Sequence, residues 1–180
     1  MNAAIDISNV ILKTERLTLR PWRLEDLDDF YEYASMDGVG QMAGWSPHKE
    51  IEESRKILAL FIEEKKTFAV EYEGKVIGSL GIEEYDEAEL PAYQEQSGRE
   101  LGYVLSKAYW GRGLMPEAVN AVIRYAFDTL RLDFLVCGHF TDNEQSKRVQ
   151  EKCGFRHVKL IQYETRYGVV KDCWLSILER

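Results

Sequence analysis

The chain has 180 residues, with 23 Lys and Arg against 31 Asp and Glu, a formal charge of −8 at neutral pH. Hydrophobic residues make up 45% and charged ones 30%, the mix of a water-soluble globular protein, and the length suits one domain over residues 1–180. So acidic a chain, with no Lys/Arg run, lacks the electrostatic footprint for binding nucleic acid, and no apolar run approaches the roughly 18–20 residues of a membrane span. The opening MNAAIDISNVILKTERL has neither the basic nor the long apolar region of a secretory signal, so a cytoplasmic location is expected.

The elements follow from periodicity. Residues 10–20 alternate at Leu17 and Leu19 and meet Pro21, a strand and its stop. Leu24, Leu27, Tyr31 and Ala34 recur at helical spacing, up to a stop near Asp37-Gly38. Ser46-Pro47 is expected to open a second helix with Ile51, Leu58 and Phe61 as its apolar stripe. Thr67–Tyr72 and Val76–Ile82 flank Glu73-Gly74-Lys75 and form a hairpin. Residues 83–98 make an acidic surface loop, which could draw in a cationic partner although a charge run is usually a solvated surface. A strand at Leu101–Leu105 precedes the cleanest helical stripe, Val119, Val122, Ile123, Ala126, Phe127 and Leu130. Then come a strand over Phe134–Phe140, a helix over Glu144–Cys153 closed by Gly154, and two strands turning near Tyr167-Gly168. The order β α α β β β α β α β β, with a parallel pair implied by the unit at 101–140, is α+β with a mixed sheet and helices on both faces.

Cys137, Cys153 and Cys173 form no CxxC pair and do not interleave with His48, His139 and His157, so neither a metal site nor a disulfide framework is expected.

The chemistry-bearing stretch is Tyr109-Trp110-Gly111-Arg112-Gly113-Leu114-Met115-Pro116-Glu117, between a strand and the start of the best helix. Unpaired N–H groups at a helix start favour a diphosphate, and glycines at 111 and 113 allow close approach and positive φ. No Lys-Ser/Thr follows, which argues against an ATP-type P-loop, and there is no GxGxxG. Alone, a GRG before a helix is a weak signal that more often marks only a tight turn.

Asn143-Glu144-Gln145-Ser146-Lys147-Arg148 opens the next helix, followed by Glu151-Lys152-Cys153-Gly154-Phe155. With these motifs in this order the chain resembles the GNAT N-acetyltransferases. TERLTLRPW (Thr14–Trp22), the Gly44–His48 segment, EKCGF (Glu151–Phe155) and Asp172 look like the Rim-type branch, which includes enzymes that acetylate ribosomal-protein N-termini. The resemblance runs from about residue 10 to 178. It implies a mostly antiparallel sheet with a central splayed parallel pair, and acetyl-CoA as acyl donor with no metal.

Carried over residue by residue, the resemblance puts the pyrophosphate loop on Trp110, Gly111, Arg112, Gly113, Leu114 and Met115. Trp110 replaces the usual Gln/Arg and Met115 the usual small residue. Main-chain contacts to pantetheine fall to Tyr103, Val104 and Leu105, and contacts to the cofactor arm to Asn143, Ser146 and Lys147. Glu100 is the implied general base, the alternative being a strand-edge Glu paired with Arg99; strand register decides, since a one-residue slip reverses the face. Ser146 is the implied acid near the leaving thiolate, the alternative being a hydroxyl bonded to main chain or cofactor. Trp45 and His48 border the acceptor cleft or else pack and cap.

The function so implied is direct transfer of acetyl from acetyl-CoA to a primary amine in a ternary complex of a monomer or homodimer, with a protein N-terminal α-amine as the leading acceptor. A small amine (amino acid, polyamine or aminoglycoside) is the alternative acceptor, and a non-catalytic acyl-CoA-binding domain is the alternative class.

Overall fold

The computed structural model describes residues 1–180. One eight-stranded sheet runs through it in the order β1-β2-β3-β4-β5-β6-β8-β7. Its strands are β1 (Leu12–Lys13), β2 (Leu17–Pro21), β3 (Thr67–Tyr72), β4 (Lys75–Glu83), β5 (Gly98–Leu105), β6 (Phe134–Phe140), β7 (Arg156–Glu164) and β8 (Val170–Glu179). Every neighbouring pair is antiparallel except β5–β6. This is the expected mixed sheet with one central parallel pair.

Helices cover both faces. On one side α3 (Leu114–Arg124) buries Leu114, Met115, Ala118, Val119, Ala121 and Val122, and joins Leu80, Ile82, Leu101, Leu135 and Cys137 in the larger core. On the other, α1 (Leu27–Ala34) and α2 (Ile51–Glu64) enclose Trp22, Phe30, Tyr33, Leu58 and Val76. A fourth helix, α4 (Glu144–Lys152), lies between β6 and β7 in sequence and packs on α3 and β6. The seven interior residues of β4 are all buried, as expected of a strand covered on both faces.

Several boundaries differ from expectation. The strand over 10–20 breaks at Thr14–Arg16 into β1 and β2, because Thr14 and Leu17 exchange backbone and hydroxyl bonds in a turn. Helix α2 begins at Ile51, not at Ser46-Pro47: the His48 N–H donates to the Ala34 carbonyl, which ties 46–50 back to the end of α1 in a non-helical path. The buried face of α1 is Leu27, Phe30, Tyr33 and Ala34, whereas Leu24 sits in a preceding single turn and is exposed. The 67–83 hairpin turns through Glu73 and Gly74, both at positive φ, the two-residue geometry that suits the twist of paired strands.

The parallel pairing of β5 and β6 is short. It runs from Gly98 opposite Phe134 to Leu101 opposite Cys137 and stops there. Beyond it β5 stays with β4 as far as Leu105, and β6 stays with β8 as far as Phe140. At the fork the Cys137 thiol donates to the Leu101 carbonyl at 3.3 Å. The sheet therefore opens at its middle, with main-chain groups of β5 facing a gap.

Candidate active site

A cavity of about 980 Å³ occupies that gap and reaches both faces of the sheet. On the α3–α4 side its wall includes Tyr109, Gly111, Gly113, Leu114, Met115, Asn143 and Ser146. On the opposite side it includes Glu83, Tyr85, Asp86, Leu90, Glu100, Gly138 and Phe140.

The loop before α3 forms a main-chain cradle. Gly111 and Gly113 have φ of 75° and 74°, a region that disfavours side chains, and a Cβ at Gly111 would meet nothing within 4 Å. The N–H groups of Gly111, Arg112 and Gly113 bond no backbone carbonyl, and the first turn of α3 leaves its own N–H groups open. These groups and the positive end of the helix suit a diphosphate. Arg112 points elsewhere: it donates to the Ala108 carbonyl at 3.1 Å, lies over the Tyr109 ring at 5.1 Å, and does not line the cavity. Trp110 lines the cavity, and its indole N–H donates to the Leu105 carbonyl at 2.8 Å.

On β5 the main chain alternates. The Val104 carbonyl lies against Gly78 of β4, so Tyr103 and Leu105 are the residues whose backbone turns to the gap. With the Leu105 carbonyl bonded to Trp110, the open groups there are those of Tyr103 and the Leu105 N–H. The Tyr103 side chain faces α4, where its hydroxyl lies 2.8 Å from Ser146 Oγ. Burial pushes the Tyr103 phenol well above its ordinary value, so it remains protonated.

Ser146 is fixed from several directions. Asn143 caps α4 by accepting from the Ser146 N–H at 3.1 Å, while its amide group donates to the Met42 carbonyl at 3.3 Å. Gln150, one turn on and buried, donates to Ser146 Oγ at 3.4 Å and to the Gly138 carbonyl at 3.0 Å, and its Oε1 is 3.1 Å from His139 Nδ1. Burial lowers the pKa of His139. Lys147 lies outside the cavity wall, 4.0 Å from Glu144. Arg148 and Lys152 are the α4 cations that do line it. Gln145, Arg148, Val149 and Lys152 recur at spacings of three, four and seven, one helix face, a signal already present in the sequence.

Glu100 projects to the other side of the sheet and is half-buried, with no hydrogen bond or ion pair to its carboxylate. It is not paired with Arg99, which faces away: Arg99 Nε donates to the Ala3 carbonyl at 2.6 Å and Nη1 is 3.7 Å from Glu84. Burial, reinforced by Glu83 and Asp86, raises the Glu100 carboxyl to about 7. Gly138 lies beside it: a Cβ there would stand in ordinary contact with Glu100 Oε1 at 3.5 Å and crowd Cys173 Sγ at 3.2 Å. The three cysteines are free and buried, and no group of three or more His, Cys, Asp or Glu converges as a metal site.

Trp45 and His48 do not line the cavity. Their rings pack on each other at 5.2 Å, His48 lies 5.6 Å from the Phe30 ring, and His48 Nδ1 is 2.7 Å from Ser54 Oγ. The Trp45 ring occupies the space a side chain at Gly40 would need. Arg16 was not among the residues expected at the site. Its Nη1 donates to the Arg112 carbonyl at 3.0 Å, and its guanidinium pairs with Glu117 at 2.7 Å, which braces the cradle against the turn between β1 and β2.

An open parallel pair, a helix-start cradle and a half-buried carboxylate meet across one cavity, a geometry that suits an acyltransferase using an acyl-CoA donor. The family model described as Acetyltransferase (GNAT) domain matches residues 16–156. The chain therefore belongs to the GNAT family, whose members transfer acetyl from acetyl-CoA to an amine. It is 29% identical over 178 residues to an uncharacterized N-acetyltransferase, p20, of Bacillus licheniformis, covering 94% of this chain and 96% of that protein. The fold is shared with the microcin C7 self-immunity acetyltransferase MccE, solved with acetyl-CoA and AMP (TM-score 0.77, 19% identity, 93% of this chain and 94% of that one). It is shared too with the ribosomal-protein-S5-alanine acetyltransferase of Vibrio fischeri (TM-score 0.72, 22% identity, 95% and 97%).

Proposed function

We propose that this enzyme acetylates a primary amine by direct attack within a ternary complex, with a protein N-terminal α-amine as acceptor, Glu100 as base and Ser146 as acid. The observation that carries this reading is the single cavity that joins the glycine cradle at 111–115 to the unpaired carboxylate of Glu100 through the fork in the sheet. Acetyl-CoA would set its pyrophosphate on the N–H groups of 111–115 and its pantetheine along Tyr103 and Leu105. Arg148 and Lys152 supply positive charge on the same side.

An ammonium has no lone pair, so the acceptor must shed a proton before it attacks. A carboxylate that titrates near 7 takes that proton at neutral pH far better than an ordinary one. The new C–N bond forms at the thioester carbon and the C–S bond breaks. The oxyanion in between suits the N–H groups of β5 turned to the gap. The attacking nitrogen loses its second proton to solvent as the intermediate collapses, and the thiolate leaves with the Ser146 proton, which solvent replaces. Holding amine and thioester in one cavity supplies the orientation that dominates a reaction with no covalent enzyme intermediate.

The resemblance of the fold to an enzyme named for ribosomal-protein acetylation supports a protein N-terminus as acceptor. The carboxylates of Glu83, Asp86 and Glu100 in the wall favour any amine with further positive charge, so a polyamine is the second reading. A thiol-release assay with acetyl-CoA against N-terminal peptides, polyamines and aminoglycosides decides between them. Turnover confined to N-terminal peptides is the expected result. Thiol release with none of these amines, together with a thermal shift on adding acetyl-CoA, would make the protein a binder and not a catalyst.

A further inference from the structure

The wall around Glu100 is built partly by the acidic segment between β4 and β5, and that segment is tied down by residues at the start of the chain. Asn2 grips the main chain of Tyr85 at two points: its Oδ1 accepts from the Tyr85 N–H at 2.9 Å, and its Nδ2 donates to the Tyr85 carbonyl at 3.0 Å. The same Nδ2 and the Asn2 N–H both donate to Glu87 Oε1, at 3.0 and 2.7 Å. Beside it, Ala3 N–H donates to the Gly98 carbonyl and Gly98 N–H to the Met1 carbonyl, so these residues extend the entry to β5 as a parallel bridge. Buried Arg99 closes the join by donating to the Ala3 carbonyl at 2.6 Å.

We propose that Asn2 is a positioning residue for the acceptor. By holding Tyr85 and Glu87 it fixes the wall of Tyr85, Asp86 and Leu90 beside Glu100, and so sets how tightly the amine binds. Neither Asn2 nor Glu87 lines the cavity, so each acts only through the segment it holds. Packing holds that segment at Tyr85 and Leu90, and Lys159 Nζ donates to the Glu89 carbonyl at 3.2 Å. Tyr85 and Leu90 anchor it on Phe134, with Tyr85 and Phe134 ring centroids 5.3 Å apart, but between them it makes only one short helical turn, Glu87–Glu89. Asn2 acts as a short extra strand would, matching the donor and acceptor of one residue with one side chain. The cradle at 111–115 is on the other face of the sheet and touches none of this, so the effect falls on the acceptor and not on acetyl-CoA.

The inference rests on the Glu100 side being the acceptor side, as proposed above. Its test is steady-state kinetics on Asn2→Ala, Glu87→Ala and Glu87→Gln, with C-terminal tags and melting temperatures to show that each folds. Asn2→Ala and Glu87→Ala are expected to raise KM for the amine about tenfold, since each loses two or more buried or half-buried hydrogen bonds. In both, KM for acetyl-CoA and kcat should stay within about twofold of wild type. Glu87→Gln keeps the acceptor oxygen and drops the charge, so it should behave as wild type, which separates position from electrostatics. Amide exchange at Tyr85 should quicken in the two alanine variants and not in Glu87→Gln. Folded alanine variants with an unchanged amine KM, or with a raised KM for acetyl-CoA instead, would overturn the proposal. Should Asn2→Ala fail to fold, Glu87→Ala alone decides it. Failure of the underlying assignment looks different: Glu100→Gln would then leave kcat intact.

Discussion

Glu83 of β4 and Glu100 of β5 stand directly opposite each other in the sheet register, two carboxylates on one face beside the cavity. Like charges in such a pair repel, and the two are handled differently. Glu83 has an ion pair with Lys66 at 2.9 Å and accepts from Thr67 Oγ1 at 3.2 Å, whereas Glu100 has neither kind of partner. The arrangement loads the cost of charge onto Glu100, whose carboxyl is raised by burial first and by Glu83 second. Glu83→Gln should therefore lower the Glu100 pKa and move the acid limb of the kcat/KM profile to lower pH. An unmoved limb would show that Glu83 does not act on Glu100.

A raised carboxyl is also a statement about stability. The folded state holds the Glu100 proton up to about pH 7, whereas the unfolded chain releases it near 4.5, so between those values the folded state binds more protons. The contribution of this group to stability is complete below about pH 4.5 and declines as pH rises through 7. Glu100→Gln abolishes that decline. Thermal melts across pH 5 to about 8 should show the variant gaining on wild type as pH rises. A constant difference would mean that Glu100 is not raised.

The Arg16–Glu117 brace predicts a defect confined to acetyl-CoA. Burial tends to raise the Glu117 carboxyl, but hydrogen bonds from Thr14 Oγ1, Arg16 N–H and Arg16 Nε outweigh it and hold the group below its usual value. Glu117→Ala frees Arg16 and, through the bond to the Arg112 carbonyl, the cradle. The dissociation constant for acetyl-CoA should rise about tenfold, as expected for the loss of charge-assisted bonds, while KM for the amine stays put. Calorimetric titration of acetyl-CoA into the variant measures it.

Arg20 and Asp26 make a buried bidentate pair, 2.8 Å at both contacts, with Arg20 also 2.7 Å from Glu71. Both side chains are 8% exposed. Asp26→Ala leaves the guanidinium short of charge inside the protein and removes the acceptor for the Arg23 N–H, so it should cost about 3–5 kcal/mol of stability. Urea unfolding measures this, and the folded fraction should keep its kcat, because neither residue approaches the cavity.

Much of this was legible in the chain. The strand over Phe134–Phe140 and the hairpin at 67–83 follow from short apolar runs and a Glu-Gly turn, and the glycine cradle follows from two glycines ahead of a strongly amphipathic helix. Glu100 came from the family resemblance, and the face it takes turned on a register that only pairing with Glu83 fixes. Trp45 and His48 were legible as residues near the first two helices but not as a packed pair; aromatic and imidazole rings look alike in sequence whether they line a cleft or fill a core. Lys147, carried over as a neighbour of Ser146, lies outside the cavity wall, because neighbours on a helix point about 100° apart and it is Arg148 that shares the cavity with Gln145 and Lys152. The partners Asn2–Tyr85 and Arg16–Glu117 lie 83 and 101 residues apart and left no local signal at all.

The base assignment for Glu100 is tested most directly by the pH–rate profile of Glu100→Gln beside wild type, under saturating acetyl-CoA. Wild-type kcat/KM for the amine should rise through an acid limb near pH 7, and in the variant that limb should vanish while kcat falls by about 10²–10⁴. A variant that retains both the limb and the rate would contradict the account.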